Sequence, residues 1–448
     1  MVDRADSGLT VPRLRQVLAW ALALAVLVAL SVRTLAYVRR YSVDLVFWDQ
    51  WDFLEPLFRR AGAWPQFDWQ HGPHRQGVGG LLLAVLLPAT GWSIRAQALA
   101  SALIVIAAAA MAWLTLRRAT GAPAWTDVAA PLLCLGAGLE EVFVGASNPA
   151  HGPVPMALVF AVALVWTLRS PLLRAALAGV LGGLCVFTGF GFFVGLVQPV
   201  LFAAEWVHGR GDAPRRRAAV LGFALSVVAL LAFFHGWQPI TAVDCFRFPH
   251  PRPLEYLDYV GFLLTRPLGM HRLGGGRTWL ARGVALGMLG FASWVTVRLF
   301  RRDEPAGRVV ALLLGLTTLF VLNTAVGRVC TGLATGGSSR YVPYVVPGWL
   351  AVVIAARCWA RPALGWSVVG AVLVLIAVRT LNTRGDEEMG RHFADGKRRW
   401  AECYRRRHDI QGCDRETGFP LYPNPAWTRM QEKLDFLEAR HLNLFRPQ

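Results

Sequence analysis

The chain has 448 residues, of which 55% are hydrophobic and only 17% are charged, whereas ordinary soluble domains have about 25% charged residues. Apolar runs of membrane-spanning length recur along it, which excludes a soluble enzyme and indicates a polytopic α-helical membrane protein. The net charge of +18 comes almost entirely from arginines scattered over short loops. This scatter is typical of cationic cytoplasmic loops and excludes the continuous basic face that binds nucleic acid.

The first apolar run extends from Val17 to Leu30 and follows the basic residues Arg13 and Arg15. A signal peptide also begins in this way, but no small-x-small cleavage site follows, so we expect an uncleaved first span. Further runs bring the prediction to about eleven transmembrane helices. Their approximate ranges are 14–37, 96–116, 127–146, 153–168, 173–188, 190–207, 218–236, 279–299, 306–325, 341–358 and 362–380.

Arginines cluster at every second connection between these predicted spans. The positive-inside rule assigns such connections to the cytoplasm of a bacterial inner membrane. The N-terminus is then cytoplasmic, and an odd number of spans places the C-terminus in the periplasm. Arg39 and Arg40 follow the first span on its external side, and their positive charges oppose this orientation. The later loops therefore have to set the orientation of the chain.

Three segments on the external side are too long for simple connections, namely 38–95, 237–278 and the tail that begins at Asn382. Long loops in compact proteins are usually functional, so we expect the chemistry on this side. Residues 1–380, with the first two loops and their juxtamembrane helices, form the predicted transmembrane bundle. Residues 381–448 form a small external module.

The tail carries two signals of ordered structure. Asn424 predicts the N-terminal cap of a helix that buries Met430, Leu434 and Leu437. Cys403 and Cys413 lie close together, and in an oxidising compartment such a pair is more often a disulfide than a catalytic site. The other five cysteines are isolated in or near apolar segments and are expected to be small core residues.

Residues 47–58, within "DLVFWDQWDFLEPLFRR", separate into two faces if they are wound as one helix. The apolar face carries Phe47, Trp51, Leu54 and Phe58, and the opposite face carries Asp49, Asp52 and Pro56. The pattern predicts a helix in the membrane interface, with aromatic rings among the lipid headgroups and carboxylates in water. Asp52 and Glu55 are then expected to form a solvated face, while Asp49 is open to either a solvated or a functional role.

Other polar groups lie at the external ends of the predicted spans. His71, His74 and Arg75 stand in "QHGPHRQG", where two histidines without a third ligand make a weak metal site. Arg328 and Arg340 bracket a loop rich in Gly, Ser and Thr. Such a loop suits a phosphate, because small residues expose backbone N–H groups and arginine offers a bidentate fork. For Arg340, an equally favoured alternative to phosphate binding is a snorkelling role, in which its guanidinium group reaches the membrane interface.

Glu140 and Glu141 fall near the outer end of a predicted span. A carboxylate at that depth is costly, so each is either a functional group or the partner of a nearby arginine.

Taken together, "FWDQWDF", "HGPHR" and the "GR…SRY" element (Gly327, Arg328, Ser339, Arg340 and Tyr341) resemble the C-type (GT-C) superfold of integral-membrane glycosyltransferases. The chain is most similar to the relatives of protein mannosyltransferases and lipid A aminoarabinose transferases, in particular an uncharacterised bacterial subgroup with a "WDQW…HR" first loop. The topology covers most of the chain, but the motifs are short. A paired Asp-Glu, present in the best-known relatives, is not evident here.

The resemblance implies transfer of a sugar from a polyprenyl-phosphate donor to a glycan, lipid or protein acceptor. Asp49 would be the catalytic base, although the choice among Asp44, Asp49 and Asp52 stays open. Arg75, Arg328 and Arg340 would meet the donor phosphate, with His74, Tyr341 and Glu141 as further candidates. No cofactor is required; a divalent metal is compatible with the site. The alternatives are a lipid-linked sugar flippase or other transporter, a non-catalytic scaffold, or an oligosaccharide polymerase or ligase.

Overall fold

The computed structural model describes residues 11–239, 245–270, 278–358 and 362–446, and these are mostly α-helical. The elements of the first long loop are short: α2 (Gln50–Phe53), α3 (Glu55–Phe58), α4 (Ala63–Asp68), the antiparallel strands β1 (Gln70–His71) and β2 (His74–Arg75), and α5 (Gly77–Ala89). The loop follows α1 (Val11–Tyr41) and precedes α6 (Ile94–Thr120). It folds on one end of the bundle.

The bundle continues with helices that coincide with the predicted spans, except for α13 (Leu254–Thr265), which lies within the predicted external loop 237–278. They are α7 (Ala129–Gly136), α8 (Glu140–Phe143), α9 (Pro153–Val165), α10 (Pro171–Val186), α11 (Phe192–His208), α12 (Ala213–Phe234), α13 (Leu254–Thr265), α14 (Thr278–Phe300), α15 (Pro305–Arg328), α16 (Val342–Arg357) and α17 (Pro362–Leu381). Among the described residues, seven helices are long and apolar enough to cross a membrane. The chain is therefore a multi-pass membrane protein.

Four predicted spans form shorter apolar helices instead: 127–146, 153–168, 173–188 and 190–207. The total of eleven spans stays a prediction for this reason. The ranges 173–188 and 190–207, predicted as separate, form two helices joined by a tight turn, since α10 ends at Val186 and α11 begins at Phe192. Gly189 is required there, since a Cβ atom on it would lie 2.3 Å from the Tyr344 hydroxyl oxygen.

The end of the bundle opposite the first loop is held by buried ion pairs. Glu205 of α11 accepts hydrogen bonds from Arg174 at 2.6 Å, Arg215 at 3.0 Å and Arg308 at 2.9 Å. These arginines lie on or beside α10, α12 and α15, so one carboxylate joins four helices. A buried carboxylate is tolerated when cations and hydrogen bonds surround it in this way.

The tail forms α18 (Arg384–Arg407), α19 (Ile410–Thr417) and α20 (Met430–Glu438). Met430, Leu434 and Leu437 are fully buried, as predicted. The predicted cap at Asn424 is wrong, because α20 begins only at Met430. The preceding Arg429 has a left-handed backbone (φ 49°), which interrupts a helix started earlier.

Two disulfides lie on the side of the bundle that carries the tail. Cys403 and Cys413, the predicted pair, join α18 to α19 with their Cα atoms 5.7 Å apart. Cys245 and Cys330 form a second disulfide, which fastens the loop before α13 to the end of α15. The expectation that these two are core cysteines was wrong: they are distant in sequence, and only the fold brings them together.

We predict that alkylation in denaturant without a reductant modifies three cysteines, Cys134, Cys185 and Cys358, which are free in the structure. After reduction, all seven cysteines of the chain should react. Mass spectrometry of the labelled peptides gives both counts. Labelling of Cys245 or Cys330 before reduction would contradict the second disulfide, and labelling of Cys403 or Cys413 would contradict the first.

Candidate functional site

The acidic stretch of the first loop is not the single helix that its pattern predicts. Trp48 has a left-handed backbone (φ 55°), α2 begins after it, and the chain breaks at Leu54 before α3. Pro56 explains the break, because proline has no N–H with which to continue the helical ladder. Asp49 is the N-cap residue of α2, but its side chain makes no capping hydrogen bond. Its carboxylate is therefore left for other partners.

The apolar face of this stretch is buried, but against protein rather than lipid headgroups. Trp51 is fully buried, and Phe47 stacks on Phe419 of the tail with ring centroids 5.2 Å apart. The backbone N–H of Trp48 donates to the Leu421 carbonyl at 2.8 Å. The prediction that lipid headgroups cover this apolar face is therefore wrong, because the C-terminal module covers it instead.

Two residues of the predicted solvated face are buried as well. Pro56 is covered, and Glu55 is only 5% exposed. Glu55 pairs with Arg59 at 2.5 Å, with Lys433 at 2.5 Å and with Arg429. Burial alone would raise the pKa of Glu55, but its hydrogen bonds and ion pairs with these cations lower it. Glu55 is an anchor for the tail.

Asp49 and Asp52 keep about two-fifths of their side-chain surface exposed, at 40% and 39%. Between them lies His71, whose Nδ1 is hydrogen-bonded to Asp52 and whose Nε2 is 3.9 Å from Asp49 Oδ2. Burial opposes a charge on His71, but the hydrogen bond that its ring donates to Asp52 and the charges of both aspartates raise its pKa above the ordinary value. The three side chains form an acidic pair bridged by a cation.

Two further histidines lie beneath this group. The hairpin of β1 and β2 places His74 opposite His71, and the His151 ring centroid is 5.3 Å from that of His74. Burial and the neighbouring cations lower the pKa of His74 to about 3, and burial also lowers the pKa of His151. Both are therefore neutral at physiological pH. Within the described ranges, no group of three potential ligands could hold a metal ion.

The loop between α15 and α16 brings a cation to the acidic pair. Glu141 accepts a hydrogen bond from the Ser338 hydroxyl and another from the backbone N–H of Arg340 at 3.3 Å. Its own backbone N–H donates to the Ser339 hydroxyl at 3.0 Å. Arg340 is thereby held at the loop end, solvent-exposed and close enough to Asp49 for their charges to interact. Glu141 thus orients the loop.

Arg328 and Tyr341 complete this cationic side. Arg328 ends α15, is half-buried and interacts electrostatically with His74. Tyr341 is buried, and the Arg340 guanidinium carbon lies 5.2 Å from its ring centroid. Arg328, Arg340, Asp49 and His74 therefore surround one region, although 254 or more positions separate the two loops in the sequence.

Other candidates have structural roles. Arg75 is buried and donates to the carbonyl of Phe233 at 3.0 Å, to that of His235 at 2.6 Å and to Asp68 at 2.6 Å. These contacts hold the first loop on the end of α12, and the phosphate-binding role of Arg75 stays a prediction.

The carboxylates of Asp44 and Glu140 are also bound by neighbouring residues. Asp44 accepts hydrogen bonds from the Ser93 hydroxyl at 2.8 Å and from the Arg95 backbone N–H at 2.9 Å, which fixes the start of α6. Glu140 pairs with Arg266 at 2.5 Å, and both are buried. Of the three aspartates Asp44, Asp49 and Asp52, the last two are the ones with partly exposed carboxylates beside His71.

The sequence interpretation missed two residues of this region. His151, in "SNPAHGP", has no recognisable motif around it. Tyr422 lies in the tail, interacts electrostatically with Asp49 and Asp52, and has its ring centroid 6.3 Å from that of Trp48. Neither position carries a local signal, because each joins the site through tertiary packing alone.

The fold and the site define a multi-pass membrane protein with a charged, partly exposed cluster at the end of its bundle that carries the tail. No protein-family model matches the chain, and no curated protein is significantly similar to it. Its activity has to be inferred from the chemistry of this cluster.

We predict that His71 titrates above pH 6.5, the ordinary histidine value. Because its pKa is raised in the folded state, its ion pair stabilises the fold fully below pH 6.5. This stabilisation is lost as the pH rises through the folded-state pKa. Asp52→Asn should lower the His71 pKa, as followed by NMR of ¹⁵N-histidine-labelled protein. A His71 pKa at or below 6.5 that is insensitive to Asp52→Asn would contradict the ion pair.

Proposed function

We propose that the protein is a membrane glycosyltransferase that moves a sugar from a polyprenyl-phosphate donor to a glycan, lipid or protein acceptor. The observation that carries this proposal is the proximity of opposite charges at one end of the bundle. The Asp49 carboxylate makes no capping hydrogen bond, and it lies close enough to the exposed cation Arg340 for their charges to interact. A proton acceptor beside an anion-binding group is what transfer of a phosphate-linked sugar needs.

In this reaction the acceptor hydroxyl gives its proton to Asp49 and its oxygen bonds to the anomeric carbon of the sugar. The bond from that carbon to the phosphate oxygen breaks, and the electron pair leaves with the lipid phosphate. Negative charge then grows on the phosphate, where Arg340 and Arg328 lie. Because guanidinium groups bind phosphate oxygens through two parallel hydrogen bonds, they would stabilise this charge.

The position of the cluster fits a lipid-borne donor. A polyprenyl chain stays in the hydrocarbon, so its phosphate and sugar lie at headgroup level. Asp49 follows α1, and Arg340 immediately precedes α16; both helices are long and apolar enough to cross a membrane. These helix ends support a position of the acid and the cation at that level. Tyr422 and Trp48, partly exposed beside Asp49, offer aromatic surface to the acceptor.

Two features support an external location for this end of the bundle. Both disulfides lie there, and disulfides persist in oxidising compartments. Cys358, after α16 at the opposite end, is free. The arginine-rich connections also lie at that opposite end, as the positive-inside rule requires of a cytoplasmic face. We therefore propose a bacterial inner-membrane protein with a cytoplasmic N-terminus and a periplasmic C-terminus.

We predict that Asp49→Asn reduces transfer by roughly 10²–10⁴-fold, the usual contribution of a general base. The amide keeps the shape of the side chain but accepts a proton poorly. Envelope glycans of a deletion strain, complemented with each variant and measured by mass spectrometry at equal protein level, give the product yield. Deletion itself should remove a glycan or a sugar substituent.

Two matched variants serve as controls. Asp52→Asn should be milder, because Asp52 acts through His71. Asp44→Asn removes a carboxylate that only fixes α6, so transfer per folded molecule should stay normal. Full product with Asp49→Asn and none with Asp52→Asn would move the base to Asp52. Unchanged glycans in the deletion strain would refute the proposed function.

We also predict that Arg340→Ala or Arg328→Ala weakens binding of a polyprenyl phosphate. Loss of a charge-assisted hydrogen bond costs about 1.5–3 kcal/mol, roughly ten- to a hundredfold in affinity. Lysine at either position should restore little of this affinity, because lysine lacks the planar guanidinium fork. Binding to protein in nanodiscs measures this, with Arg384→Ala as a control, since that side chain is 87% exposed and pairs with Glu388 of its own helix. Unchanged affinity in both variants would exclude a phosphate site here.

A further inference from the structure

One lysine of the tail contacts the acidic stretch on both sides of Asp52. Lys433 of α20 donates from Nζ to the carbonyl oxygen of Trp51, a residue 382 positions away. The same Nζ is 2.5 Å from Glu55 Oε2. The Lys433 side chain is only 4% exposed, and it also lies over the Phe58 ring at 5.4 Å. One ammonium group thus holds α2 and α3 together.

These contacts matter because α2 cannot hold its own shape. It has four residues, which is about one helical turn, and isolated helices of that length are not stable in water. Asp49 provides no side-chain cap for it. The directions in which Asp49 and Asp52 point therefore depend on tertiary contacts with the backbone around them, and the Lys433 bond to Trp51 lies between the two aspartates in sequence.

The ion pair is also poorly explained as a simple stabiliser. Removing an ammonium and a carboxylate from water costs several kcal/mol per ion, and apolar side chains of similar volume often stabilise a fold as well or better. The more specific effect of a buried pair of this kind is to fix the geometry of the segments that it joins. Here that geometry belongs to the segment that carries Asp49 and Asp52.

We infer that Lys433 is a positioning residue of the active site, which holds the Asp49–Asp52 segment in its reactive geometry through Trp51 and Glu55. The C-terminal module then forms part of the catalytic machinery, although its own helices carry no catalytic group. The catalytic half of this inference rests on the proposed function; the structural half does not.

The matched control is Asn443, which docks the same module at a different point. Its Nδ2 donates to the Trp92 carbonyl at 2.8 Å, and it is as buried as Lys433. Lys433→Met and Asn443→Leu each remove the polar bonds of one buried tail residue to the loop. Methionine keeps most of the length of lysine, and leucine keeps the branched shape of asparagine. Only Lys433→Met removes a tie to the segment 47–58. Lys433→Arg restores the cation at this position.

Hydrogen–deuterium exchange of the purified full-length protein tests the structural half without any substrate. We expect Lys433→Met to speed exchange in peptides covering 47–58, Lys433→Arg to restore most of the protection, and Asn443→Leu to speed exchange around Trp92 instead. Equal exchange in 47–58 for Lys433→Met and wild type would overturn the inference.

Product yield in the complemented deletion strain, per folded molecule, tests the catalytic half. We expect about a 10²-fold loss for Lys433→Met, the size of effect that a misplacement of about 1 Å produces. Lys433→Arg should recover much of it, and Asn443→Leu should retain near-normal yield. An equal loss in Lys433→Met and Asn443→Leu would reduce Lys433 to a general stabiliser. If deletion of the gene changes no glycan, the proposed function fails, while the exchange experiment still decides the positioning role.

Discussion

The packing of the C-terminal module on the first loop is the interaction on which the candidate site depends. The loop elements from Gln50 to Phe58 are too short to be stable alone, and they acquire their shape from Leu421, Phe419 and the Glu55–Lys433 pair. Since the same elements carry Asp49 and Asp52, the tail determines where the acidic side of the site lies. A protein with most of its mass in a membrane bundle thus relies on a small module outside it.

The cationic side of the site is fixed in a different way. Arg340 lies on a glycine- and serine-rich loop that would have many conformations by itself. Glu141 removes that freedom by accepting hydrogen bonds from Ser338 and from the Arg340 backbone. Glu141 in turn follows Glu140, which is buried against Arg266. A carboxylate anchored in the bundle therefore orients the loop that presents the arginine, and the acidic and cationic sides meet because each is tied to the bundle end.

The acidic stretch shows that an amphipathic pattern predicts which face is buried but not which element packs against it. Phe47, Trp51, Leu54 and Phe58 are buried as their spacing predicts. Hydrophobic burial is non-directional, and lipid, another helix or a tail module satisfies it equally well. Glu55 was assigned to water for the same reason. Its three cationic partners, Arg59, Arg429 and Lys433, become visible only when the tail is folded on the loop.

The sequence by itself determined the membrane class, the positions of the seven described helices that are long enough to cross a membrane, the separation of α10 from α11 and the Cys403–Cys413 pair. These features depend on local composition and short spacings, which a single stretch of chain carries. It also marked Asp49, Arg328 and Arg340 as candidates. Only the tertiary structure decided that Asp44 bonds to the start of α6 and Arg75 to the end of α12, that Cys245 joins Cys330, and that His71, Tyr422 and Lys433 lie near the acids. Such contacts join residues far apart in the chain, and no local pattern encodes which distant partner will fill a given surface.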